Sequence, residues 1–129
     1  MTILAKRLFV ILCLKLGVSG WAEEEWKAFR GPTGMGIENQ KTPMNWNVSS
    51  IKWKTQITGS GQSSVIQSGE KLFLTSADKE GGLRFLHCLD KNTGDLLWKR
   101  EVRNTREEAV HRMNTWATPT PVTDGSKVL

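Results

Sequence analysis

The residues of this 129-residue chain that could bind or transform a ligand are few, and the densest group is His111-Arg112-Met113-Asn114. His111, Arg112 and Asn114 offer an imidazole, a guanidinium and an amide, which together can take a proton, grip an anion and read a carbonyl. The same side chains can instead cap turns or tie a loop to its neighbour, and both roles stay open for His111 and Asn114. Other reactive types are scattered. Ser63, Ser64 and Ser76 have no nucleophile elbow around them, and His87 stands between Leu86 and Cys88 as a packed strand residue. Cys88 has no cysteine or histidine at zinc-ligand spacing and reads as a small core residue. Gly59-Ser60-Gly61 lacks the lysine and helix of a phosphate loop and reads as a turn. Arg106, Glu107 and Glu108 read as a solvated face.

The elements that must position these residues are short strands. Apolar runs bounded by Gly or Asp predict strands over 63–67, 71–77, 83–90 and 95–102, joined by tight turns at Ser68-Gly69, 78–82 and 91–94. Leu72-Phe73-Leu74 and the run Leu86 to Leu89 are apolar at consecutive positions, so both faces of such a sheet are expected to be covered. The chain also repeats itself. Trp53-Lys54-Thr55-Gln56-Ile57 matches Trp98-Lys99-Arg100-Glu101-Val102 at an offset of 45, and the stretch from Val65 to Phe73 matches that from Pro121 to Leu129 at 56. Spacings of about 40–50 residues belong to radially repeated β-architectures. The eleven additional residues fall between Val102 and Thr118, where a polar connection over 103–116, with helical character around 105–113, carries the His111 group.

One turn is specific enough to compare with known sequences. In Asp90-Lys91-Asn92-Thr93-Gly94-Asp95-Leu96-Leu97-Trp98, the Asp90 carboxylate can accept turn amides and Gly94 can adopt the positive φ that closes the hairpin. Leu89-Asp90, Thr93-Gly94 and Trp98 resemble the repeat of the PQQ-like, or quinoprotein alcohol dehydrogenase-like, β-propeller family. Trp26-Lys27-Ala28-Phe29-Arg30-Gly31-Pro32 with Gly34 and Gly36, and the stretch Ala117-Thr118-Pro119-Thr120-Pro121-Val122, extend the likeness to exported bacterial members similar to outer-membrane protein assembly factor B. The resemblance implies an all-β fold, a β-propeller of four-stranded antiparallel blades. Residues 51–129 would then be its N-terminal part: a ring-closing strand over 51–57, one full blade and the start of a second, following an irregular lead over 23–50. Asp90, Thr93, Gly94 and Trp98 become the motif that shapes the turn and docks one blade on the next. The 103–116 connection is expected beside 78–82, near the mouth of the central channel.

Two functions follow from that resemblance. The first is an extracytoplasmic binding or scaffolding module that holds an unknown protein or small-molecule ligand with loops on one face. The alternative is the N-terminal part of a PQQ-dependent oxidoreductase, in which PQQ and Ca²⁺ sit over the channel and an aspartate acts as base. Asp90 belongs to a turn and the adjacent cysteine pair of those enzymes is absent from these residues, so no catalytic, cofactor or metal residue is assigned.

Residues 1–22 read as a secretory signal peptide, with Lys6 and Arg7 before the apolar run from Leu8 to Leu14 and small residues at Gly20 and Ala22. Cleavage after Ala22 fits best, and cleavage after Gly20 is the alternative. That run is shorter than the roughly 20 residues a membrane span needs, so no transmembrane segment is expected in the mature chain and the destination is periplasmic or extracellular. The leader also holds three bases and no acid, leaving fifteen basic against thirteen acidic residues. No basic cluster interleaved with aromatics remains, which argues against a nucleic-acid surface.

Overall fold

The computed structural model describes residues 25–38, 43–106 and 108–129, so the signal peptide expected over 1–22 and its expected cleavage site lie outside the described residues. The fold is all-β: one open four-stranded antiparallel sheet in the order β1 (Ile66–Ser68), β2 (Lys71–Ala77), β3 (Leu83–Asp90), β4 (Leu96–Arg103). A single 3-10 turn, Val48–Ser50, precedes it. Among the described residues no helix is long and apolar enough to cross a membrane.

Register follows from the turns. Gly69 and Glu70 link Ser68 to its partner Lys71. Asp78 closes the β2–β3 turn by donating its backbone amide to the Leu83 carbonyl at 2.9 Å and accepting the Leu83 amide on Oδ2 at 3.0 Å. At the β3–β4 turn, Asp90 Oδ1 accepts the amides of Asn92 and Thr93 at 2.8 and 3.0 Å. Those two amides, Thr93 first, hold the Asp90 carboxyl below the usual aspartate range. Its contribution is therefore present at neutral pH and lost as pH falls through the folded-state value. In urea unfolding, Asp90→Ala is expected to lower the midpoint while Asp90→Asn, which keeps an acceptor, recovers most of it.

Pairing places Ile66, Phe73, Cys88 and Trp98 in one row across the sheet, and Leu74, His87 and Lys99 in a row on the opposite face. The first row makes the core: Ile66, Phe73 and Cys88 are buried, with Leu86, Trp98 and Val128 packed on them and the Phe73 and Trp98 rings 5.9 Å apart. Each such side chain contributes about 1.5–3 kcal/mol. β2 and β3 are covered on both faces, as their consecutive apolar residues require, whereas β4 is exposed along almost its whole length. On the core face Thr75 donates to the Pro119 carbonyl, and on the other Ser76 donates to that of Thr58.

Two expectations are corrected, the start of the first strand and the helical character around 105–113. The first strand begins at Ile66 rather than Ser63, because Ser63 Oγ takes the Thr75 amide and the Gln62 and Ser64 amides turn to Ala117 and Thr120 instead. Residues 51–57 keep a period-two burial but enter no ladder: Trp53 Nε1 donates to the Lys91 carbonyl at 3.0 Å and Thr55 Oγ1 to that of Gly94 at 2.6 Å. The described residues of 105–113 form no helix, since Asn104 binds both backbone groups of Arg106 and His111 closes a separate turn. The 56-residue repeat is seen directly: Gln67 pairs with Leu72, and the equivalent Thr123 pairs with Val128.

Candidate functional site: the cleft around Trp116

β3 and β4 deliver their ends to the turn over 78–82, and the 104–118 loop leaves from the same place. The Asn104 amide donates to the Gly82 carbonyl at 2.9 Å, which sets the loop beside that turn as expected. The loop then brings Trp116 back onto Gly81. A Cβ at Gly81, whose φ is +72°, would lie 2.2 Å from the indole, so only glycine admits this approach.

Arg84, at the start of β3, covers another part of the ring with its guanidinium carbon 5.6 Å from the centroid. Its terminal nitrogen pairs with Glu108 at 2.6 Å. Trp116 thus stands between a glycine backbone and an ion pair, with cavities on either side. One of about 350 Å³ is lined by Arg84, Glu108, Asn114, Thr115 and Trp116. Another of about 310 Å³ is apolar and runs along Leu86, Val102, Trp116 and Pro119. Arg84 Nε and Thr115 Oγ1 are buried and have no hydrogen-bond partner. Each therefore carries a desolvation cost inside the protein.

The predicted trio separates. His111 Nδ1 accepts the Met113 amide at 3.3 Å and the His111 carbonyl that of Asn114 at 2.7 Å, so this histidine caps a turn. Arg112 is exposed and does not line the cavity, whereas Asn114 does. Glu108, expected on a solvated face, is the partner of Arg84. Arg84 and Trp116 were legible only as an isolated cation on a strand and an aromatic residue in a polar loop. Asp90, Thr93 and Gly94 form the β3–β4 turn, and Trp98 lies in the core row away from the cleft.

One nucleophile–base pair exists elsewhere. Ser76 Oγ lies 2.7 Å from His87 Nε2, but both residues are buried and Ser76 directs its proton to the Thr58 carbonyl. Burial, and then the charge of Lys99, push His87 below the ordinary histidine range, and burial pushes the Cys88 thiol up. The pair is sealed into the sheet and has no access to a substrate. Among the described residues, no three His, Cys, Asp or Glu side chains are grouped to hold a metal ion.

Comparison with family models, curated proteins and solved structures found no match for this chain.

Proposed function

We propose that this chain is the N-terminal part of an exported β-propeller of the PQQ-like repeat type, acting outside the cytoplasm as a binding or scaffolding module through the Trp116 cleft. The propeller reading rests on Trp53 lying against Gly94: the residue at the repeat position of Trp98 docks on the Thr-Gly turn of the sheet. That contact supports one repeat stacking on the next, and the two-sided burial of β2 and β3 agrees with it.

The binding reading rests on the cleft itself. The end of β3 and the loop beside it present a guanidinium and an indole beside an apolar groove, an arrangement suited to holding an apolar ligand such as a loop of a partner protein.

The test places a photo-crosslinking residue at Asn114 in cells and, as a control, at Ser126. An adduct with one defined protein from Asn114 alone, abolished by Trp116→Ala in protein of unchanged far-UV circular dichroism, is the expected result. Equal labelling from both positions would overturn the cleft. Uptake of PQQ with Ca²⁺ and dye-linked alcohol oxidation by the purified protein would overturn the scaffold in favour of an oxidoreductase.

A further inference from the structure

Residues 25–27 run along the free edge of β1 and reach from there to the segment after the loop. The Gln67 amide donates to the Trp26 carbonyl at 2.8 Å, and the Thr123 amide donates to the Lys27 carbonyl at 3.0 Å. Gln67 and Thr123 are equivalent positions of the 56-residue repeat, and each pairs with an equivalent partner, Leu72 or Val128. Two repeat units therefore offer the same backbone donor to adjacent carbonyls of one peptide.

A side chain fixes the register of that peptide. Glu25 accepts the Gly69 amide at 2.7 Å and the Ser68 hydroxyl at 3.4 Å, and its other oxygen pairs with Lys27. The Trp26 ring turns away onto Gly31, so the edge reads the backbone and the Glu25 carboxylate rather than the indole. Beneath the segment lies a cavity of about 440 Å³ whose lining includes Phe73, Trp98 and Val128. A free sheet edge presents unpaired amides that any extended chain can satisfy, and selectivity then comes from side-chain contacts at fixed spacing.

We propose that the paired edges at Gln67 and Thr123 form a binding site for an extended peptide with a carboxylate on the residue before the two bonded carbonyls, a site this chain fills in cis with residues 25–27. The site lies at Ser68-Gly69 and Gly125, on residues that the Trp116 cleft does not use. It rests on backbone geometry and does not depend on the function proposed above.

The test uses a triple variant lacking Glu25, Trp26 and Lys27, with a fluorescein-labelled peptide of sequence Glu-Trp-Lys-Ala-Phe-Arg followed by anisotropy. The unaltered protein should leave the peptide free, and the variant should bind it saturably. A peptide with Gln in place of Glu should bind the variant about tenfold more weakly, since it loses a charge-assisted bond. A variant that folds but binds no better than the unaltered protein, or that binds both peptides equally, would overturn the proposal. Should the triple variant fail to fold, amide hydrogen exchange decides. In the unaltered protein the Gln67 and Thr123 amides should both be protected, and Glu25→Gln should speed the exchange of both without changing that of Leu89. Exchange of Thr123 at the rate of a free amide would overturn it.

Discussion

Gly94→Val is expected to destabilise the protein by about 3 kcal/mol or more, through backbone strain and a collision acting together. Gly94 has φ +76°, and a Cβ there would lie 2.4 Å from the Trp53 ring and 2.8 Å from Thr55 Oγ1. A β-branched residue in that left-handed region costs about 1–2 kcal/mol, and forcing atoms into a packed contact costs about 1–3 kcal/mol. Moving Trp53 away also gives up its bond to the Lys91 carbonyl and loosens that of Thr55 to Gly94, each worth about 1 kcal/mol net. Urea unfolding followed by tryptophan fluorescence reads the loss as a lower midpoint. A double-mutant cycle with Trp53→Gly separates the causes, because the cost should shrink to the backbone strain and the Thr55 contact once the ring is gone. An undiminished cost in the Trp53→Gly background would show that Trp53 does not lie on this turn.

Acidification is expected to give the second large effect, through His87. The ring is 1% exposed, lies 2.7 Å from Ser76 Oγ, and shares its side of the sheet with Lys99, whose ammonium sits over Phe85. Burial and then the Lys99 charge lower its pKa, so the folded state holds His87 neutral while the unfolded chain takes up a proton near the ordinary histidine value. Its contribution is complete above about pH 6.5 and is lost as pH falls from there through the folded-state pKa. Across that window, stability should fall by up to about 1.4 kcal/mol per pH unit. His87→Gln, which can still bond to Ser76 but does not titrate, should flatten the slope between pH 7 and 5. Ser76→Ala should cost about 1–3 kcal/mol at every pH, because the Thr58 carbonyl and the imidazole both lose a buried partner. A histidine that titrates normally by NMR in the folded protein would overturn the pH argument.

Much of the sheet was legible because its determinants are local. Lys71–Ala77 and Leu83–Asp90 match the expected bounds, and Leu96–Arg103 is displaced by one residue at each end. Asp78, Asp90 and Asp124 accept nearby amides, and Asp-Gly or Thr-Gly pairs mark where the chain can reverse. The expected start at Ser63 failed for a different reason. Whether a serine amide joins a ladder depends on competing acceptors elsewhere, and here Thr120 supplies one from 56 residues away. The candidate site was half legible. The loop and its place beside Gly82 could be read, but which of its side chains line the cleft could not, because side-chain direction in an irregular segment has no period from which to infer it.

The sequence by itself determined the strands, the turns, the two-sided burial and the internal repeat, since alternation, aspartate and glycine act over a few residues. Tertiary structure alone decided which distant groups meet. Arg84 finds Glu108 and Trp116 across the loop, and the Trp26 and Lys27 carbonyls find amides 41 and 96 residues ahead. The physical reason is that nearly all buried backbone donors and acceptors find partners over the whole molecule, a condition that no local pattern encodes.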